Sequence, residues 1–177
     1  MISLLVSLLV SLSDASEVAT YLLGKQARAC TTHPSAPCCS VPPWTVAEYA
    51  WYMAQSGQAH EVDPLVIAAI AWHESKLIAD AVGPSGHDVG LLQLVHGYVP
   101  ESEEELFDPA VNIEAGARVL AWWESRPRYA AHYLAHYAGG VSPEARHYSF
   151  ETWVLRQVAK HRKQQIPAGL PVFGGAP

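Results

Sequence analysis

The chain has 177 residues, 50% hydrophobic and 16% charged, which excludes wholesale disorder and is enough chain to bury a core. Eleven Lys and Arg against 17 Asp and Glu leave a net charge of −6, a poor balance for gripping phosphates, so no nucleic-acid partner is expected. The three cysteines are too few for a disulfide scaffold and form no CxxC pair.

Residues 1–23 open with an apolar run, Met1 to Leu12, broken only by Ser3, Ser7 and Ser11. The run is too short to span a bilayer but suits the apolar part of a secretory signal, with Ser13-Asp14-Ala15 as a small-residue cleavage site. A basic residue ahead of the run is missing. A weak anchor giving transient membrane association and a surface-packed amphipathic helix running to Leu23 are the other readings. Export is the expectation, to periplasm, cell wall or beyond, or carriage in a virion if the source is a phage.

Residues 24–43 carry Pro34, Pro37, Pro42 and Pro43 among Ser, Thr and Cys, and read as an extended linker. Cys30, Cys38 and Cys39 lie here. One bridge, Cys30 to Cys38 or to Cys39, would leave one thiol over.

The compact unit is residues 44–163, and it reads as helices. Trp44 to Ser56 has apolar residues at helical spacing and is expected to stop at Gly57. Asp63-Pro64 is an N-cap followed by proline at the first helical position, and Leu65 to Trp72 is apolar all round, as in a central buried helix. A small hairpin is expected around Gly86 to Gly90, and Pro100 to Glu105 reads as a loop. Asp108-Pro109 starts a helix to about Glu124, closed by Arg126-Pro127. Arg128 to Tyr137 is a short helix ended by Gly139-Gly140, and Ser149 to Lys163 is the last one. Residues 164–177 form a Pro/Gly-rich tail. The fold class is all-α, one globular domain with a small hairpin, expected as a monomer.

Glu74 stands at the end of the apolar run Ile67 to Trp72. Desolvation favours the protonated form of such a carboxyl, and a protonated acid can hand its proton to a leaving oxygen. Glycoside hydrolysis usually needs a second carboxylate. Asp80, Asp88, Glu101 and Glu114 are the nearby candidates; Asp80 and Asp88 fall in expected loop, neither in an evident apolar or paired setting.

Four ordered blocks then carry a resemblance: Ala71-Trp72-His73-Glu74-Ser75; Asp88-Val89-Gly90-Leu91-Leu92-Gln93-Leu94; Leu106-Phe107-Asp108-Pro109 with Asn112-Ile113 and Gly116-Ala117; and Tyr137-Ala138-Gly139-Gly140. Residues 44–163 resemble the catalytic domain of the soluble lytic transglycosylases, in the lysozyme-like superfamily. The resemblance implies cleavage of the bond between N-acetylmuramic acid and N-acetylglucosamine in peptidoglycan strands, with Glu74 as sole acid and base. The sugar's own C6 hydroxyl attacks, giving a 1,6-anhydro end. It further implies that Ser75 positions the sugars, Gly90 lets backbone approach them, Leu92 and Gln93 line the cleft, and Tyr137 contacts the acid. No cofactor and no metal are implied. Ala138 departs from the Asn usual in the family, which puts one polar contact near the acid in doubt.

Rival readings are weaker on the residues. Ser85 to Gly90 resembles half of a carboxypeptidase zinc site, but Leu94 stands where an Asp ligand belongs. His132 and His136 share a helix face without the Glu of an HExxH pair. A lysozyme-like hydrolase of the same bond, or a non-catalytic glycan-binding module, are the alternatives left standing.

Overall fold

The computed structural model describes residues 2–165, with side chains from Ser11 onward. Seven helices enclose one core: α1 (Ile2–Thr32), α2 (Pro43–His60), α3 (Pro64–Glu74), α4 (Glu103–Leu106), α5 (Pro109–Glu124), α6 (Tyr133–Gly139) and α7 (Ala145–Gln165). The only sheet among these residues pairs β1 (Asp88–Val89) with β2 (Leu94–Val95), antiparallel. The fold is therefore all-α, with a small hairpin.

The core is built around α3. Every residue from Leu65 to Trp72 is buried, so the helix has no solvent face. The Asp63 carboxylate starts it, accepting the Leu65 amide proton at 3.0 Å, and Pro64 costs nothing at a position with no amide to satisfy. α1, α2, α5 and α7 pack around it. α5 starts the same way, Asp108 accepting from the amides of Ala110 (2.8 Å) and Val111 (3.2 Å). The acidic stretch expected as loop contains α4, a single turn closed by reciprocal Ser102–Glu105 hydrogen bonds.

Other local expectations also differ from the structure. Gly57 does not stop α2, which runs on to His60 and closes at Glu61 in the left-handed region, φ 58°. The glycine serves close packing instead, because a Cβ there would lie 2.7 Å from the Val62 carbonyl oxygen and 2.8 Å from Pro64 Cγ. Residues 24–43 are not an extended linker. α1 continues to Thr32, since residues 24–32 hold no proline, and the prolines fall where helices begin: Pro37 opens a 3₁₀ turn and Pro43 opens α2. The segment is fastened down. Cys30 is bonded to Cys39, Cys38 is buried as the free thiol, and the Gln26 amide donates to the carbonyls of Cys38 (2.6 Å) and Val41 (2.8 Å).

α1 belongs to the same body. Val18, Tyr21 and Leu22 lie in the core, and the Ser11 hydroxyl donates to Gln58 of α2. No helix among the described residues is long and apolar enough to cross a membrane. The tail expected at 164–177 lies, from residue 166, outside the described residues.

Candidate active site

Glu74 is the last residue of α3, and the chain leaves that helix sharply. Lys76 and Leu77 both take left-handed backbone, φ 54° and 68°, which costs non-glycine residues free energy and is held by side-chain bonds. The buried Ser75 hydroxyl donates to the Ala71 carbonyl and accepts from the Leu77 amide, each at 3.1 Å. Lys76 folds back so that its ammonium donates to the Trp72 carbonyl (2.7 Å) and the His73 carbonyl (2.6 Å), among the orphan acceptors of a helix end. Leu77, fully buried, pins the turn. The turn thus leaves the Glu74 side chain 26% exposed at the edge of the core.

His73 is the imidazole beside the acid, its Nδ1 3.3 Å from Glu74 Oε1. Its ring is held edge-on to Phe150 and tilted against Trp153, both of α7, with centroids 4.9 Å away. Tyr137 of α6 comes to the same place. Burial, with the negative charge of Glu74 adding to it, holds the phenol well above its ordinary value, so the hydroxyl stays neutral. That hydroxyl donates to the Leu92 carbonyl at 2.9 Å, which ties α6 to the loop after β1.

The loop itself hangs on a residue not singled out as functional from the sequence. Asn112 of α5 is fully buried; its Oδ1 accepts from the Leu92 amide (2.8 Å), and its Nδ2 donates to the carbonyls of Val89 (3.1 Å) and Leu106 (2.9 Å). The signal for it was a lone amide on the apolar face of α5, next to Ile113. Gly90, at φ 79°, passes so close that a Cβ would lie 2.1 Å from Asn112 Nδ2 and 2.5 Å from the Leu106 carbonyl oxygen. The glycine therefore answers to Asn112 first. The Leu92 side chain is buried against Gly116 of α5, so what Leu92 offers Tyr137 is its backbone. Gln93 is half-buried at φ 49°, and its amide nitrogen donates to the carbonyls of Ala81 (3.1 Å) and Gly90 (2.9 Å). Ser75 and Gln93 thus both spend hydrogen bonds on shaping backbone at this end of α3.

Three of the four other candidate carboxylates hold partners elsewhere. Glu101 takes the Arg118 guanidinium with both oxygens, at 2.7 and 2.9 Å. Glu114 pairs with His60 on the α2–α5 face. Asp88 accepts from the Ser85 hydroxyl at 2.6 Å, and Asp80 is exposed. The histidines weighed as metal ligands have other partners: His132 meets Glu151 at 2.9 Å, and His136 donates to the Gly140 carbonyl at 2.7 Å. Among the described residues, the three cysteine sulfurs form the one cluster of metal-ligand type, and two of them are bonded to each other.

Comparison with known families gives one match on this body. The model described as transglycosylase SLT domain matches residues 51–155, a span that holds Glu74, the hairpin, Asn112 and Tyr137. Neither the curated proteins nor the solved structures compared with the chain gave a match.

Proposed function

The chain belongs to the transglycosylase SLT domain family, and from that premise we propose that it cleaves the MurNAc–GlcNAc β-1,4 bond of peptidoglycan with Glu74 as sole acid and base. The observation that carries this reading is the placement of Glu74. It is a single carboxyl at the end of a fully apolar helix, beside a neutral buried phenol, while the Glu101, Glu114 and Asp88 carboxylates hold other partners. A mechanism with one carboxyl is supported by that arrangement.

The protonated Glu74 carboxyl gives its proton to the glycosidic oxygen, and the bond from that oxygen to C1 of the muramic sugar breaks. The C6 hydroxyl oxygen of the same sugar then bonds to C1, and its proton passes to the Glu74 carboxylate. The acid is restored, no water is consumed, and the new end is a 1,6-anhydro ring. His73 and Tyr137 bracket the carboxyl from two helices, His73 through its imidazole nitrogen and Tyr137 through its charge interaction. Ser75, Gly90, Leu92 and Gln93 set the backbone around it, and the sugars are read by what that backbone presents. Export to the compartment that holds the wall follows from this substrate.

The test is mass spectrometry of fragments released from purified peptidoglycan by the wild type and by Glu74→Gln, with and without a chelator. The expected outcome is 1,6-anhydro ends from the wild type, unaffected by chelator, and a loss of at least about a thousandfold in the variant. Reducing ends from the same bond would replace the transglycosylase by a hydrolase, and activity retained in Glu74→Gln would remove Glu74 from the mechanism.

A further inference from the structure

Eight of the eleven Lys and Arg of this acidic chain lie on α1, on α7 or just after α3. Two are on α1, five on α7, and Lys76 follows α3; the acids of the two helices are Asp14, Glu17 and Glu151. Side chains of α1 and α7 meet through Tyr21–His161 and Lys25–Gln157, and beside them lies an open groove of about 410 Å³. Its walls carry Tyr21 and Arg28 from α1 and His161, Gln164 and Gln165 from α7. The groove is polar, Arg28 is exposed beside it, and the buried Tyr21 hydroxyl has no hydrogen-bond partner among the described residues.

Side chains in contact lead from this groove to Glu74. His161 meets the Tyr21 ring edge-on with centroids 5.4 Å apart. The Lys25 ammonium stands 5.4 Å from the Tyr21 ring centre and 5.4 Å from that of Trp153. Trp153 touches His73, and His73 reaches the acid. One cation, Lys25, therefore stands between two pairs of rings on a strip that ends at the candidate acid.

We propose that this strip and the α1–α7 groove bind the carboxylate-bearing peptide stems of peptidoglycan while the glycan strand lies at Glu74. The inference rests on the reading of the chain as a peptidoglycan-cleaving enzyme. A glycan strand is neutral along its sugars, and its charge sits on short peptides branching from the muramic units. An enzyme with a net charge of −6 would repel such a polymer everywhere except where its cations face it. Arg28 at the groove, Lys25 on the strip and Lys76 near the acid supply those cations, and a concave groove receives a branch better than it fits a planar bilayer. Lys25 supports this. Burial, then the charges of Arg28, Lys160 and Lys76, depress its pKa to about 8, and Gln157 of α7 accepts from it. An arriving carboxylate opposes that depression, so binding takes up a proton and weakens as pH rises through about 8.

The test uses Arg28→Glu combined with Lys160→Glu, both exposed positions outside the acid's surroundings, with circular dichroism to verify the fold. Cleavage and sedimentation binding are measured on peptide-bearing peptidoglycan, on strands stripped of peptide by an amidase, and on anionic phospholipid vesicles. The wild type is expected to prefer peptide-bearing material, less so as salt rises. The variant is expected to lose about tenfold on that material alone, keeping its rate on stripped strands. Equal rates for both proteins on both materials, or an equal loss on both, would overturn the proposal. Loss of vesicle binding with the peptide preference intact would overturn it in favour of a lipid surface. Absence of cleavage by the wild type on either material would instead strike the functional reading on which the proposal rests.

Discussion

Asn112 shows how much of this site depends on one side chain that touches no acid. It satisfies one amide and two carbonyls with three hydrogen bonds, all buried. Asn112→Leu has nearly the same size and can satisfy none of them. Leaving buried polar groups unpaired costs roughly 1–3 kcal/mol each, so a loss of about 3 kcal/mol or more is expected. Thermal unfolding should show it as a fall in Tm of about 6–12 °C for a domain of this size. A Tm within 2 °C or so of the wild type would mean that Asn112 is not the anchor described. Tyr137 poses a chemical question at the same scale. Tyr137→Phe removes the bond to the Leu92 carbonyl and a hydroxyl that feels the charge of the candidate acid, while keeping the ring. Stability should fall by only about 1 kcal/mol, and kcat by roughly tenfold with KM little changed. A raised KM at constant kcat would assign the phenol to substrate binding instead.

At the scale of elements, α3 was readable because three independent signals agree: a capping Asp63, Pro64 at the first turn, and an apolar run with no polar face. α5 was readable for the same reason. Gly57 misled because a glycine can mark a helix end or a close approach, and the difference lies in Pro64, which is near it only after folding. The stretch 24–43 misled because its prolines were read as a linker when they mark helix starts. Glu74 was legible as a lone acid after an apolar run, but His73 was not, because the rings that hold it come from α7, far along the chain. The position of α1 yields a prediction about boundaries. Among the residues whose side chains are described, its apolar core residues are Val18, Tyr21 and Leu22, beyond the small residues 13–15. A chain starting at Ser16 keeps these three residues and gives up the Ser11–Gln58 bond, so it should still fold cooperatively. A chain starting at Gly24 loses Val18, Tyr21 and Leu22 from the core, at about 1.5–3 kcal/mol each, and should unfold or aggregate. Equal stability of the two truncations would detach α1 from the domain and restore residues 44–163 as the complete unit.

At the scale of the whole molecule, partly desolvated titratable groups on α1, on α6 and in the turn after α3 set how stability responds to alkali. Burial holds the hydroxyls of Tyr21, Tyr133 and Tyr137 above their ordinary value of 10.0. Above about pH 10 the unfolded chain gives up these protons and the folded chain keeps them. The folded state then binds more protons, so stability must fall as pH rises, with up to three protons released on unfolding. Lys25 has the opposite sign. Its pKa is depressed to about 8 from 10.5, so between those values the folded chain has lost a proton that the unfolded chain retains. Stability rises across that interval. Lys76, also depressed by burial, acts in the same direction. The two effects together place a stability maximum near pH 10, well above the isoelectric point of about 5.8, followed by a steep decline. Denaturant unfolding from pH 7 to 11.5 would trace this curve, with Cys38→Ala used to prevent thiol exchange with the Cys30–Cys39 bridge. Tyr21→Phe should lower the proton release above pH 10 by about one, because it deletes one buried phenol and leaves the others. A curve flat above pH 10 would mean that these hydroxyls are open to water, and the packing of α1 and α6 on the core would have to be redrawn.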